Sequence, residues 1–265
     1  MGNASEAAER TSLLKVETSG SVLTVGLNRP AKRNALNDGI ILALGDCFSN
    51  IPEDVGAIVI HGIGDHFSSG LDLSELTEHD ATEGLRHSQM WHRVFDRIQY
   101  SHVPVIAALQ GAVIGGGLEL ACAAHIRVAE PSAYFALPEG QRGIFVGGGG
   151  SVRLPRLIGV ARMTDMMLTG RVYSATEGAS YGFAQYLTEA GGALPKAMEL
   201  AGKIAGNAPL TNFAVLQALP MIAEANPQTG LLMESLMATV AQSDKEAKRR
   251  IRAFLDHKTS KVRPG

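Results

Sequence analysis

The pattern of hydrophobic and polar positions begins with two strand-like segments and then changes to a helical period. Residues 13–17 and 22–27 are strand-like, and Ser19-Gly20 between them predicts a hairpin turn. Apolar residues recur every three or four positions from Ile40 to Ile51, behind Asn37 or Asp38 as an N-cap, which predicts a helix. Further segments follow: buried strands at 55–61, 103–109 and 125–129, and a polar helix at 83–99.

After Gly150 the pattern predicts helices only. Capping-box spacing places helix starts at Ser174-Ala-Thr-Glu177 and at Ser243-Asp-Lys-Glu246. Leu232, Leu236 and Val240 form one apolar stripe near the carboxy terminus. Strands and helices that alternate first and are followed by helices alone predict an α/β domain with a helical appendage.

Composition removes several classes of function. Lys and Arg total 24 against 26 Asp and Glu, so a net charge of −2 provides no field for gathering nucleic acid or an anionic membrane surface. The first ten residues lack an apolar core and predict a loose leader, and no apolar run approaches the ~18 residues of a membrane span. Cys47 and Cys122 lie in apolar surroundings, which favours reduced thiols and a cytoplasmic location.

The standard motifs of α/β enzymes are absent from the sequence. There is no Gly-x-Gly-x-x-Gly after a strand, no phosphate-binding Gly-Lys-Ser/Thr and no Gly-x-Ser-x-Gly. His87 and His92 are five positions apart, which does not suit two zinc ligands on one helical face, and no His-Glu-x-x-His occurs. We therefore expect neither dinucleotide nor nucleotide nor zinc chemistry.

Two glutamates stand in apolar surroundings. Glu119 lies in the first turn after Gly115-Gly-Gly117, within a stretch of Leu, Ala and Cys, and Glu139 follows Pro138 after a short apolar run. Burial raises the pKa of a carboxyl group, and two neighbouring carboxyls separate in pKa, so the pair could supply an acid and a base. Separately, each has an ordinary explanation: Glu119 could complement a helix dipole and Glu139 could be a turn residue.

The glycines beside Glu119 point to a second chemical feature. Three glycines before a helix leave backbone N–H groups accessible to an anion or a developing oxyanion. Phe67-Ser-Ser-Gly-Leu-Asp72 forms another glycine-centred turn that could present a donor from the same edge of the sheet. Together the two turns predict an oxyanion hole, although tight packing of a helix on a sheet would also explain Gly115-Gly-Gly117.

These stretches, taken in order, resemble the crotonase, or enoyl-CoA hydratase/isomerase, superfamily. The resemblance rests on five segments between about residues 13 and 258: Asn28-Arg-Pro with Lys32-Arg-Asn-Ala-Leu36, Phe67-Ser-Ser-Gly-Leu-Asp72, Gly111 to Glu119, Leu137-Pro-Glu139, and Leu168-Thr-Gly-Arg with Ala175-Thr-Glu-Gly-Ala179. It implies a crotonase-like spiral of ββα turns with a carboxy-terminal helical trimerisation region. The corresponding division of the chain is a leader at 1–12, a core at 13–200 and an oligomerisation region at 201–265, in a homotrimer or a dimer of trimers.

The resemblance also implies roles for particular residues. The N–H groups of Leu71 and Gly116 would hold the thioester oxygen of an acyl-CoA, and Glu119 and Glu139 would be the acid/base pair of a hydratase. Contacts to coenzyme A are implied for Lys32, Arg33, Ser69, Gly70, Leu71, Asp72 and Gly116. No separate cofactor and no metal are expected, because coenzyme A is part of the substrate. The predicted reaction is reversible syn hydration of a trans-2-enoyl-CoA, in which Glu119 deprotonates the water that attacks C3 and Glu139 protonates C2.

Other functions remain open at this point. His125 stands where hydratases often have aspartate, and Val146 stands where proline is common; a structural role is the favoured interpretation of His125. Alternative crotonase reactions are isomerisation of the double bond, carnitinyl-type dehydration and cleavage of a hydroxyacyl-CoA. Two glutamates argue against isomerisation only, since a single base suffices to move a proton between two carbons. A non-catalytic interaction protein with a CoA fold is disfavoured by the intact glutamates and glycine turns.

Overall fold

The computed structural model describes residues 12–74 and 80–256. All of the predicted leader except Ser12 lies outside the described residues. The chain divides into two compact units, one ending at Ala205 and the other beginning at Gly206. The predicted boundary at 200/201 falls inside a helix that continues to Ala205.

The first unit is built on two sheets. Its described strands are β1 Leu14–Ser19, β2 Val22–Leu27, β3 Ala57–Gly62, β4 Val105–Leu109, β5 Ala112–Ile114, β6 Ile126–Ala129, β7 Tyr134–Ala136, β8 Tyr173–Ser174 and β9 Tyr186–Leu187. The larger sheet has the order β1-β2-β3-β4-β6-β9 and is parallel apart from the β1/β2 hairpin. The smaller sheet has the order β5-β7-β8, with β5 and β7 parallel.

Helices connect and cover these strands. In the first unit they are α1 Asp38–Ser49, α2 Ala81–Gln99, α3 Gly116–Ala123, α4 Gly150–Ile158, α5 Val160–Thr169, α6 Ala175–Tyr181 and α7 Ala193–Ala205, with short 3-10 turns at Pro30–Lys32 and Gly140–Arg142. β4, β5 and α3 form one ββα unit and β6, β7 and α4 form the next. The first strand of each unit lies in the larger sheet and the second in the smaller one, so the α/β organisation predicted from the sequence is confirmed.

Both faces of the larger sheet are buried at its central strands, which explains why these strands are almost entirely apolar. Along β3, Ile58 and Ile60 face the main core, while Ala57 and Val59 face a second core. The second core is completed by one face of α7, with Ala193, Ala197, Leu200 and Ala201. The sheet is therefore packed on both sides, and the loops that leave its strands are held on a fixed support.

Several local predictions need correction. The segment after Gly150 is not purely helical, because β8 and β9 each add a two-residue strand to a sheet. The final helix is capped by Asp244, whose side chain accepts from the N–H groups of Glu246 and Ala247, and not by Ser243. The capping box at Ser174 is confirmed, and Asn37 is the cap of α1.

The second unit is helical throughout its described residues. It contains α8 Pro209–Phe213, a π-helical segment Ala214–Ala218, α9 Leu219–Glu224, α10 Pro227–Ser243 and α11 Lys245–Leu255. Leu232, Leu236 and Val240, the predicted apolar stripe, lie on α10 and are exposed within this chain. Among the described residues, no helix is both long enough and apolar enough to span a lipid bilayer.

Candidate active site

The path of the chain from β5 into α3 is set by glycines. Gly115 has a φ of +52°, and a Cβ at this position would lie 2.5 Å from Oε1 of Glu139. Both the backbone conformation and the space exclude a larger residue. The turn therefore brings the N-terminus of α3 directly beside the carboxyl group of Glu139.

A second glycine turn meets the first. Gly70 has a φ of +87°, and a Cβ there would lie 2.6 Å from the carbonyl oxygen of Ile114 and 3.3 Å from the nitrogen of Gly116. The nitrogen of Leu71 lies 3.6 Å from the Cβ position of Gly116. In the described part of the chain, no acceptor takes the N–H of Leu71 or of Gly116. The two donors predicted for the oxyanion hole are thus adjacent and unpaired.

Hydrogen bonds on both sides hold the Leu71 turn. The N–H of Leu36 donates to the oxygen of Gly70 at 2.7 Å, and the N–H of Asp72 donates to the oxygen of Leu36 at 2.8 Å. Ser68 forms a parallel bridge with Val113 of β5. Because the peptides before and after Leu71 are fixed, its N–H has a defined direction without a partner of its own.

Glu119 is 4 % exposed on the first turn of α3. Its Oε1 accepts two backbone N–H groups, from Gly148 at 2.9 Å and from Gly150 at 2.7 Å. Burial, together with the charge of Glu139, raises the pKa of Glu119 to about 7, against the opposing effect of the two N–H groups and of Arg153. A carboxyl group in this state can exchange a proton near neutral pH.

Glu139, just after β7, is 8 % exposed. Among the described residues its buried Oε2 has no hydrogen-bond partner. Burial raises the pKa of Glu139, opposed by a backbone hydrogen bond and by the charge of Arg142. Burial and the lack of a hydrogen bond to Oε2 favour the protonated form, and they outweigh the stabilisation that Arg142 and the backbone hydrogen bond give the carboxylate.

The predicted groups line one cavity of about 440 Å³. Glu119, Glu139, Leu71, Gly116 and Ser69 all contribute to its wall. The rest of the wall is largely apolar and includes Leu73, Trp91, Ile114, Ile144, Phe145 and Val146. The cavity therefore combines two carboxyl groups, two free N–H donors and an apolar surface suited to a hydrocarbon chain.

The residues predicted to contact coenzyme A form a cluster beside this cavity. The N–H of Ser69 donates to the oxygen of Arg33 at 3.0 Å, and Lys32 Nζ donates to Ser74 Oγ at 2.7 Å. Asp72 is buried and pairs with Arg29 at 2.9 Å and with Lys32 at 3.5 Å. Burial alone would raise the pKa of Asp72, but hydrogen bonds from Ser74 and Arg29 hold it well below its usual range. Asp72 therefore pairs with two basic side chains, Arg29 and Lys32, and fixes the loop that carries them.

His125 has a structural position. Its Nδ1 accepts the N–H of Val105 at 2.9 Å, so the ring proton lies on Nε2, which donates to the oxygen of Gln99 at 2.9 Å. Burial lowers the pKa of His125. A neutral ring with both nitrogens bonded to backbone ties β4 to the end of α2, in agreement with the interpretation favoured from the sequence.

Some contributors to the site were missed in the sequence. Gly148 and Gly150 are the donors to Glu119, and Arg153 binds the oxygen of Gly148 at 3.0 Å. Ser88 binds the oxygen of Gly147 at 2.7 Å. The sequence does contain a signal for these donors, the run Gly147-Gly-Gly-Gly150 before a helix. Like Gly115-Gly-Gly117, such a run leaves backbone N–H groups accessible to an anion.

Comparison with known proteins gives consistent results. Residues 17–262 match the family profile described as enoyl-CoA hydratase/isomerase. The chain is 32 % identical to the short-chain-enoyl-CoA hydratase of Clostridium acetobutylicum, covering 91 % of this chain and 94 % of that protein. It is 34 % identical to the 2,3-dehydroadipyl-CoA hydratase of Escherichia coli, covering 90 % and 93 %.

Solved structures agree with the sequence matches. A Rhodopseudomonas palustris protein with a provisional assignment as an enoyl-CoA hydratase is 80 % identical, with a TM-score of 0.92 over 95 % of this chain and 97 % of that one. The enoyl-CoA hydratase of Bacillus anthracis is 30 % identical, with a TM-score of 0.87 over 92 % and 96 %. The fold is therefore the one that the sequence motifs predicted.

Proposed function

This chain belongs to the enoyl-CoA hydratase/isomerase family, and from that premise we propose that it is an enoyl-CoA hydratase. The reaction is the reversible syn addition of water to a trans-2-enoyl-CoA, which gives a 3-hydroxyacyl-CoA. One observation carries the proposal: two buried glutamates, Glu119 and Glu139, line the same cavity as the unpaired N–H groups of Leu71 and Gly116.

The oxyanion hole accounts for activation of the substrate. The thioester oxygen accepts the N–H groups of Leu71 and Gly116, which polarises the conjugated double bond and makes C3 electrophilic. Attack at C3 moves an electron pair onto the thioester oxygen as an enolate. Preorganised N–H groups stabilise such a charge more strongly than water does, because their dipoles are already aligned.

Glu119 is the base in this mechanism. Its Oε1 accepts two N–H groups, which stabilise the carboxylate form, and a carboxylate can take a proton from the attacking water. The oxygen of that water forms a bond to C3 as the proton passes to Glu119. A pKa of about 7 leaves a large fraction of Glu119 ionised at neutral pH and still makes it an effective base.

Glu139 is the acid. Its Oε2 is buried with no hydrogen-bond partner in the described part of the chain, so the neutral carboxyl group is favoured and can donate its proton. That proton goes to C2 as the enolate collapses and the thioester carbonyl is restored. In the reverse direction Glu139 removes the C2 proton and Glu119 protonates the departing hydroxyl group.

The cluster around Asp72 supports binding of coenzyme A. Lys32 and Arg33 lie on the exposed loop, and Ser69 belongs to the turn that ends at the oxyanion hole. We assign Lys32, Arg33, Ser69 and Gly70 to contacts with the nucleotide and pantetheine portions, with Asp72 fixing the loop through Arg29 and Lys32. Gly70 lets its turn pack against the backbone of Ile114 and Gly116, which brings the N–H groups of Leu71 and Gly116 close together.

The second acid distinguishes hydration from isomerisation. Moving a double bond requires one group that takes a proton from one carbon and returns it to another, whereas adding water requires a group for water and a group for C2. Glu119, held in the cavity wall by two N–H groups, has no task in an isomerase that uses a single base. We therefore favour hydration, with dehydration of a hydroxyacyl-CoA as its reverse.

Assembly and location are separate proposals. A homotrimer or a dimer of trimers is supported by the exposed apolar residues of α10, Leu231, Leu232, Leu236 and Val240, which a partner copy would cover. The cytoplasmic location expected from the sequence stays a prediction.

Loss of the enoyl thioester absorbance with crotonyl-CoA and longer homologues tests the function. We expect stereospecific formation of the 3-hydroxyacyl-CoA, with incorporation of one solvent oxygen at C3. Glu119→Gln and Glu139→Gln should each abolish formation of the 3-hydroxyacyl-CoA. A purified protein that leaves a panel of linear, branched and aromatic enoyl-CoAs unchanged would overturn the proposal.

A further inference from the structure

The two N–H groups that bind Glu119 come from a loop of four consecutive glycines, Gly147 to Gly150, which precedes α4. Glycine-only backbone has the largest freedom of any sequence, so it does not hold a direction without outside contacts. Yet both donors lie within 2.9 Å of the same oxygen of Glu119. Other residues must therefore fix this loop.

Arg153, one turn into α4, makes three hydrogen bonds that do so. Its Nη1 donates to the oxygen of Gly148 at 3.0 Å, the residue whose own N–H donates to Glu119. Its Nη2 donates to Oδ1 of Asp96 at 2.6 Å, and its Nε donates to Oε1 of Gln99 at 2.6 Å. Arg153 is 8 % exposed, so its guanidinium is buried, whereas its partner Asp96 is half-exposed. The guanidinium joins the loop to α2.

The fit between loop and guanidinium is close. A Cβ on Gly149 would lie 2.2 Å from Nη1 of Arg153, and Gly149 has a φ of +93°. A Cβ on Gly148 would lie 3.1 Å from Oε2 of Glu119. The glycines thus allow the loop to pass between the arginine and the glutamate, in contact with both.

Helix α2 holds the loop at a second point. Ser88 Oγ donates to the oxygen of Gly147 at 2.7 Å, two turns before Asp96 on the same helix. The loop is therefore attached to α2 at both of its first two carbonyl groups, one directly and one through Arg153.

We propose that Arg153 is a positioning residue for Glu119: anchored by Asp96 and Gln99, it holds the carbonyl of Gly148 so that the N–H groups of Gly148 and Gly150 remain directed at Oε1. Arg153 does not line the cavity and has no contact with substrate in this scheme. It acts through the loop on the orientation and charge state of Glu119. The inference rests on the proposed function, since it assigns Glu119 the role of base.

Arg153→Gln tests the inference with crotonyl-CoA. We expect kcat to fall about 10- to 100-fold while KM changes by less than about threefold, because a base is displaced and the thioester contacts remain. The acid limb of the pH profile of kcat/KM should move to higher pH, since Glu119 loses a positive neighbour and well-aligned donors. Arg153→Lys, which keeps the charge, should leave that limb closer to its original position.

Arg156→Gln is the matched control. Arg156 lies one turn further along α4, is exposed, and binds the oxygen of Val152. Its loss should change neither kcat nor the pH profile. If Arg153 serves only to stabilise the fold, Arg153→Gln will lower the melting temperature and the active fraction while the acid limb stays where it was; that result overturns the inference.

Asp96→Asn decides the matter if the Arg153 variants do not fold. Asp96 is half-exposed. In Asp96→Asn the buried guanidinium of Arg153 keeps its hydrogen bonds to Gln99 and to Gly148. We expect kcat to fall by a smaller factor than in Arg153→Gln while KM stays unchanged, because the guanidinium loses one of its three anchors; an unchanged kcat contradicts the proposal. Inactivity of the unaltered chain would overturn the proposed function instead, so the two failures are distinct.

Discussion

Oε1 of Glu119 lies 2.7 Å from the nitrogen of Gly150, the first residue of α4, so a side chain of α3 caps the N-terminus of a different helix. The N-terminal end of a helix carries a partial positive charge and unpaired N–H groups. Both favour the ionised carboxyl group, whereas burial opposes it. Their balance leaves the pKa of Glu119 at about 7.

The first prediction concerns pH. In the proposed mechanism Glu119 must be ionised to accept a proton from water, so kcat/KM for hydration should fall about tenfold per pH unit below pH ~7. A pH series with crotonyl-CoA from pH 5 to 9 measures this limb. A rate that stays constant down to pH 5 would mean that the base has an ordinary carboxyl pKa and is not Glu119.

The second prediction concerns stability. The pKa of Glu119 is raised above its unfolded value of 4.5, so the folded state binds more protons between about pH 4.5 and 7 and its stability falls as pH rises through this window. Glu119→Gln removes this penalty and should raise the free energy of unfolding by about 1–3 kcal/mol at pH 8. Denaturant unfolding at pH 5 and pH 8 measures the free energy of unfolding of Glu119→Gln and of the unaltered chain. The gain in stability should be smaller at pH 5, and an equal gain at both pH values contradicts the prediction.

The third prediction separates the two acids. Butyryl-CoA has no double bond to hydrate, but in the proposed mechanism its C2 proton can exchange with solvent through an enolate held by Leu71 and Gly116. Since we assign the C2 proton to Glu139, Glu139→Gln should abolish exchange with D2O, whereas Glu119→Gln should retain most of it. Mass spectrometry of the recovered thioester gives the rates, and the opposite pattern would reverse the two assignments.

The fourth prediction addresses Gly116, a glycine of the proposed oxyanion hole. A Cβ on Gly116 would lie 2.8 Å from Cζ3 of Trp91, so Gly116→Ala must displace either the indole or the N–H donor. We expect a loss of about 10- to 100-fold in kcat/KM. Adding Trp91→Leu to Gly116→Ala should recover part of the lost kcat/KM. If the two substitutions acted independently, their losses would multiply instead. Gly202→Ala, in open space on α7, is the control and should leave the rate unchanged.

The fifth prediction addresses the basic loop. Asp72→Asn removes the charge that holds Arg29 and Lys32, so the loop should lose its fixed conformation and KM for acyl-CoA should rise about 3- to 30-fold while kcat changes little. Asp46→Asn, on the exposed face of α1, is the matched control. A fall in kcat at unchanged KM would indicate that Asp72 acts on the oxyanion turn instead.

The parts of the site that the sequence predicted are those encoded locally. Glu119 and Glu139 stand out because a charged residue in an apolar stretch is anomalous within a few positions, and the glycine turns are visible for the same reason. The donors to Glu119 are 29 and 31 residues away, and Arg153 meets Asp96 across 57 positions. No local pattern contains such pairings, because they arise only when α2, α3 and α4 pack together.

The errors in the fold have similar causes. β8 and β9 have two residues each, too few for an alternating pattern to appear, and they exist because an existing sheet edge offers them partners. At the last helix, Ser243 and Asp244 are both good caps. Asp244 is the cap because its carboxylate accepts two N–H groups, those of Glu246 and Ala247.

Helix α2 contributes Trp91 to the wall of the cavity and, through Ser88 and Arg153, also anchors the loop that binds Glu119. An acyl chain that displaces this helix slightly would disturb the alignment of the base as well as its own contacts. Discrimination between chains should then be expressed in turnover and less in affinity. Efforts to retune specificity by reshaping the Trp91 wall would accordingly need compensating changes at Ser88 or Asp96 to keep the rate.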